Sequence, residues 1–189
     1  MRRVLALCWL LVAIAACARH QVDLSQQAPA TSHEEPGGFE EATVIRAIDG
    51  DTLEVTITAH HDGPGAGAGE AGRNYDVRLI GIDTPESVTP GTPVECFARE
   101  ASAALSAVVG GADVVLMKDV EESDRYGRLL RYVYLGDEMV NARLVVNGYA
   151  HAYTYPPNVR HADLFVRLQR EARVNDRGLW SPDTCNGEQ

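Results

Sequence analysis

Lysine is almost missing from this chain. Lys118 is the single lysine among 17 basic residues, the other sixteen being arginine, and 27 acidic residues leave a formal net charge of -10. That balance argues against a protein that holds nucleic acid by bulk electrostatics, because such domains are usually basic. An enzyme that engages a few phosphates locally is still allowed. The arginine excess reads as compositional bias, although arginine is also the better bidentate phosphate ligand. Cysteine is scarce as well, at four. The apolar run from Val4 to Ile14 is too short to span a bilayer as an ordinary helix. Strand–helix–strand alternation is also absent, which disfavours a parallel sheet.

What is present begins with a leader. Arg2 and Arg3 precede the apolar run and small residues follow it, the pattern of a secretory signal. Ile14-Ala15-Ala16-Cys17 resembles the lipobox of bacterial lipoproteins, which implies a lipidated Cys17 as the mature N-terminus. The alternative is a soluble exported protein cleaved nearby. The expected organisation is a lipoprotein-type signal over 1–16, a disordered tether over 17–41, a domain over 42–181 and a tail over 182–189. Residues 18–41 are rich in Gln, Ala, Pro, Ser and Glu and show no apolar period, as a tether should. With 189 residues, 45% hydrophobic, the remainder makes one domain with a real core.

Within the domain, Thr43–Ile48 and Thr52–Thr58 flank Asp49-Gly50, a hairpin signal. Residues 60–72, with alternating Gly and Ala, read as a flexible loop. His60 and His61 at its edge read as surface residues, not metal ligands. Tyr75–Ile82 is a strand that Pro85 brings to an end. Thr92-Pro93-Val94-Glu95 spells a capping box for a helix reaching about Val109. Asp113–Val120 and Leu129–Leu135 are further strands. Asp137 and Asn158 are candidate caps for two more helices, burying Val140, Leu144 and Val145, then Leu164, Leu168 and Ala172. Five strands interleaved with three helices fit an α+β, mainly β class: a small, mostly antiparallel barrel with packed helices.

Two stretches carry chemistry: Asp49-Gly50-Asp51-Thr52, and Arg78 through Glu86. Asp51, Asp83 and the backbone around Thr84 are oxygen donors with no cysteine or histidine close by, favouring calcium or magnesium over zinc. Glu86 stands just past them, placed to activate a water. Arg78 and Arg128 can clamp a phosphodiester and neutralise charge gathering on phosphorus. Taken singly, turn aspartates and surface arginines are commonplace, and the weight lies in their combination.

That combination resembles the staphylococcal nuclease (thermonuclease) family. Asp49-Gly50-Asp51-Thr52, Arg78 through Glu86 and Asp124-Arg125-Tyr126-Gly127-Arg128 occur in that family's order. The likeness continues through Met139-Val140-Asn141, Gly148-Tyr149-Ala150, Tyr153-Thr154-Tyr155 and Gly178-Leu179-Trp180, covering residues 43–181. It implies an OB-fold five-stranded barrel with three helices, cleaving DNA and RNA with Ca2+ to products carrying a 3′-phosphate. By position, Asp51, Asp83 and the Thr84 carbonyl would bind calcium, Glu86 would be the general base, and Arg78 and Arg128 would contact the scissile phosphate. Tyr153 and Tyr155 would line the nucleotide pocket, or simply cover the barrel as strand-end aromatics. Single-stranded nucleic acid is the expected substrate, and a monomer the expected state. The acidic charge argues against tight, salt-resistant binding of long DNA. A Pro/Gly-rich stretch over 87–94 borders Glu86 near the substrate entrance.

Three other readings are weaker. A non-catalytic nucleic-acid or protein binding module on the same barrel would typically lack the Arg78, Glu86 and Arg128 positions, and all three are here. An aspartyl phosphatase needs Asp-x-Asp-x-Thr, whereas position 53 is leucine. An EF-hand lacks its run of donors. With Cys8 removed and Cys17 lipidated, Cys96 and Cys185 would remain, and in an oxidising compartment two cysteines usually pair. That bridge would pin the tail to the first helix.

Overall fold

The computed structural model describes residues 22–29, 37–86 and 93–187. The signal, Cys17, Thr92 and most of the 87–94 stretch lie outside them.

Strand β1, Phe39–Ala47, runs antiparallel to β2, Thr52–His61, which runs antiparallel to β3, Asn74–Leu79. On its other side β1 pairs with β5, Asp113–Met117, and β5 with β6, Leu129–Leu135. A parallel pairing of β3 with β6 then closes the ring, Val77 opposite Leu129 and Leu79 opposite Arg131. The result is a five-stranded mixed barrel. Period-two burial shows why these residues are strands: Leu53, Val55 and Ile57 point inward from β2, and Val77 and Leu79 from β3. In β6 the alternate residues Tyr132 and Tyr134 are buried as well as Val133. Tyr132 lies against Phe165, with ring centroids 6.3 Å apart.

Three helices pack on the barrel: α1 (Ala98–Val109), α2 (Val140–Val146) and α3 (Ala162–Val174). Between barrel and helices lie short two-residue strands, β4 (Ile82–Asp83), β7 (Glu138–Met139) and β8 (His151–Ala152), with β4 and β8 antiparallel to each other. A buried amide ties the layers together: Asn141 of α2 accepts from the Val133 N–H and donates to the Ile80 carbonyl, both at 2.9 Å. A final 3-10 turn, Gly178–Trp180, hangs from α2 through the Leu179 N–H to the Gly148 carbonyl, 2.8 Å.

The structure corrects several local expectations. None of the three helices uses a side-chain cap. The first begins at Ala98, not at the 92–95 box, because Glu95 is engaged with Glu86 instead. Asp137 sits in the turn between β6 and β7. Asn158 accepts from the N–H groups of Val120 and Glu121, at 3.1 and 3.0 Å, rather than opening α3.

The glycine-rich 62–72 stretch is not a loose loop. Arg131, fully buried in β6, donates through Nε to the equally buried Glu40 at 2.6 Å and is also paired with Glu122. The stretch lies over this network, donating from Gly69 N to Glu40 Oε1 (2.7 Å) and from Ala68 N to Glu122 Oε1 (3.0 Å). Gly67 is glycine for want of room: a Cβ there would fall 1.7 Å from Arg131 Nη2. At the outer end of β2, His61 lies 2.8 Å from Glu41 and stacks on Phe39.

Part of the expected tether is docked. Residues 22–29 alternate half-buried and exposed, with Val22, Leu24, Gln26 and Ala28 turned inward. Gln26 and Asn147 exchange two hydrogen bonds, N–H to Oδ1 (3.0 Å) and Nδ2 to carbonyl (2.8 Å). Asp23 N donates to the Tyr149 hydroxyl at 2.7 Å, and Ala28 N to Glu138 at 3.1 Å. The apolar signal here, Val22, Leu24 and Ala28, is too sparse to stand out among polar residues.

Candidate active site

The site forms where three strand ends meet at one rim of the barrel. β2 starts there with Asp51 and Thr52 beside it, β3 ends there with Arg78 directly opposite Thr52, and β6 starts there just after Arg128. Gly50 lets the hairpin sit low, since a Cβ there would meet the Thr84 side chain at 2.6 Å and Ala101 at 2.9 Å. Asp49 accepts from the Asp51 N–H at 3.0 Å and fixes the turn.

Arg78 joins the two aspartates. Its Nε lies 3.1 Å from Asp51 Oδ1, its Nη2 donates to Asp83 Oδ1 at 2.8 Å, and Nη1 donates to the carbonyls of Leu79 and Ile82. Asp51 is only 5% exposed. Its Oδ2 accepts from both the N–H and the hydroxyl of Thr84, at 2.9 and 3.1 Å. Burial pushes its carboxyl up to about 6; the Arg78 charge opposes this, and Asp49 adds to it. Asp83 is raised too, first by burial, against Arg78, with Glu86 and Glu95 contributing repulsion.

Arg128 is aimed from the turn that leads into β6. Asp124 holds its Nε at 2.7 Å and its N–H at 3.0 Å, an i,i+4 clasp across the turn. Its Nη1 donates to the Thr52 hydroxyl at 3.3 Å, and that hydroxyl donates to Asp51 Oδ1 at 3.1 Å. Glu86 is exposed just past Thr84 and the buried Pro85; its N–H donates to Glu95 Oε2 (2.7 Å) and its carbonyl accepts from Glu95 N (3.0 Å).

The β4–β8 pairing sets Asp83 against His151, and Tyr153 N donates to the Gly81 carbonyl at 2.9 Å. Tyr153 and Tyr155 are exposed, their rings near-parallel with centroids 6.5 Å apart. More than half of each residue's surface is open to solvent. Tyr126, 69% exposed, carries Arg125 at 4.7 Å and Arg128 at 5.6 Å over its ring.

Arg78, Asp51, Asp83 and Thr84 are thus in direct contact, with Arg128 one hydroxyl away. Sequence reasoning gave no site role to Thr52, Asp124 or Tyr126, and read Glu95 as part of a helix cap. The four-residue spacing of Asp124 and Arg128 was the one usable signal. Among the described residues no three acidic, histidine or cysteine side chains converge into a metal cage. The donor set that fits a cation is two carboxylates with a backbone carbonyl, hard oxygens; burial disfavours the ionised form of both carboxyls, and a positive charge would favour it. Cys96 and Cys185 are joined, with Cα atoms 5.9 Å apart.

Comparison with known proteins completes the picture. The staphylococcal nuclease homologue family model matches residues 76–182. A thermonuclease of Staphylococcus hyicus is 38% identical over 138 residues, 73% of this chain and 74% of its own. A thermonuclease of Staphylococcus intermedius is 39% identical over 72% of this chain and 74% of its own, and endonuclease YncB of Bacillus subtilis is 33% identical over 74% of this chain and 61% of its own. A family match over more than half of the chain, with relatives of this identity and coverage, shows that the chain belongs to the staphylococcal nuclease family.

Proposed function

We propose that this chain, a nuclease of that family, is a calcium-dependent phosphodiesterase acting on DNA and RNA outside the cytoplasm. The observation that carries the reading is Arg78 bonded at once to Asp51 and Asp83, with Arg128 tied to the same cluster through Thr52. Asp51, Asp83 and the Thr84 carbonyl would hold the ion, which supplies charge neutralisation at the phosphate when bound. Arg78 and Arg128 bind the non-bridging phosphate oxygens and stabilise the added negative charge of the five-coordinate transition state. Glu86 takes a proton from the attacking water. The water oxygen bonds to phosphorus as the bond to the 5′-oxygen breaks; that oxygen takes a proton from solvent and leaves as a hydroxyl, with the phosphate kept on the 3′-oxygen.

Tyr153 and Tyr155 offer faces to unstacked bases, which favours single strands as substrate. One chain supplies every assigned residue, consistent with action as a monomer. The leader and Cys17 support export and a lipid anchor on a membrane surface.

The test is cleavage of a single-stranded oligonucleotide by the mature chain at alkaline pH, with calcium and then with chelator. Calcium-dependent cleavage giving 3′-phosphate ends is the expected result, and none at all sinks the reading. Glu86→Gln should lower the rate with the fold kept.

A further inference from the structure

We propose that the Cys96–Cys185 disulfide is a clamp on the segment that carries Glu86, so that catalysis depends on a bridge remote from the phosphate. The inference rests on the reading of Glu86 as the base.

The route is short. Glu95 is paired with the Glu86 backbone in both directions, through its own N–H and through its carboxylate. The next residue, Cys96, is bonded to Cys185 across 89 residues of chain. Phe97 then takes a left-handed conformation, φ 69°, which a bulky residue adopts only when its surroundings impose it. Its ring stacks on Tyr149 at 5.4 Å, and α1 begins one residue later without a side-chain cap. Residues 93–97 therefore belong to no helix or strand, and the bridge is a covalent hold on them.

The far end of the bridge is firmly set. Thr184 donates its hydroxyl to the Gly178 carbonyl, Asn186 N donates to the Ser181 carbonyl, and Gly187 N donates to the Leu179 carbonyl at 2.7 Å. Cys185 itself is buried. The disulfide thus transfers the rigidity of the α2 side of the core to Glu95, and Glu95 passes it to Glu86. Cys96 is exposed, within reach of a dithiol reductant. That reagent would deliver two electrons and two protons, break the S–S bond to two thiols, and itself close to a disulfide. Glu86 would then lose the hold that Glu95 passes to it, while the Asp51–Arg78–Asp83 cluster stayed in place.

The experiment is a double-mutant cycle on the full mature chain. Cys96→Ser/Cys185→Ser should lower kcat by about tenfold to a hundredfold, the scale of a misplaced catalytic group, with KM and the calcium requirement unchanged. In a Glu86→Gln background the same pair of substitutions should cause no further loss. Glu95→Ala, which keeps the bridge, should reproduce the kcat loss and likewise vanish in the Glu86→Gln background. Full activity without the bridge, or an equal loss in both backgrounds, overturns the clamp. An unchanged rate in Glu86→Gln alone overturns the base reading, and the clamp falls with it.

Discussion

Arg128 and Asp51 never touch, yet one hydroxyl joins them: Thr52 accepts from Arg128 Nη1 and donates to Asp51 Oδ1. The arginine proposed to bind phosphate is thereby coupled to the carboxylate side. Thr52→Val keeps the shape of the side chain and removes the link. Cleavage should slow by about tenfold, the worth of a hydrogen bond to a charged group, with the melting temperature nearly unchanged. Single-turnover rates check this, and a wild-type rate would show the hydroxyl to be a bystander.

With Asp51 as the proposed ligand, calcium binding should depend on pH. Burial holds its carboxyl near 6 against an ordinary 3.8. A raised carboxyl means the folded chain binds more protons than the unfolded one between those values. This group's contribution to stability therefore falls as pH rises through that window and is constant above it. Calcium needs the ionised form and competes with the proton. Its apparent affinity should drop by about tenfold per pH unit below 6 and be flat above 7. Calorimetric titration at pH 5 and 7 measures it; equal affinities would remove Asp51 as a ligand.

Gly67 separates packing from backbone freedom. Gly67→Ala drives a methyl into the guanidinium of Arg131, which cannot retreat from Glu40 and Glu122. Urea unfolding should show a loss of about 3 kcal/mol or more, from overpacking and a disturbed buried charge network. Gly72→Ala meets nothing within 4 Å at φ +82°, and should cost about 1 kcal/mol, the left-handed penalty alone. Equal losses would show that the loop can yield.

The segment at 22–29 gives a test by exchange. Leu24→Asp places a charge where a leucine packs on the core, and should free the Asp23, Gln26 and Ala28 amides to exchange like open chain. Barrel amides should hold their protection. Unaltered exchange at Gln26 would mean the pairing with Asn147 suffices alone.

The five long strands were legible because apolar residues alternate along them and turn residues sit between. The site aspartates and arginines were legible because Asp51, Arg78 and Asp83 fall at strand ends, where carboxylates seldom serve packing. Helix starts were misread because Glu95 and Asn158 resemble caps locally, while the N–H of Glu86 claims the one and those of Val120 and Glu121 the other, and Asp137 sits in the turn between β6 and β7. Glu40 and Arg131 look like surface residues of half-exposed strands, and their burial depends on each other across 91 positions. The glycines at 63–69 looked structureless for the same reason: what they cover lies elsewhere in the chain.

The parallel β3–β6 pairing has a kinetic meaning. Arg78 and Arg128 reach the same rim only when Val77 has met Leu129, a contact between residues far apart in sequence that loop closure makes slow to form. A refolding chain with every other strand paired would still hold its two arginines apart. Recovery of cleavage is therefore a clock for the shutting of that seam.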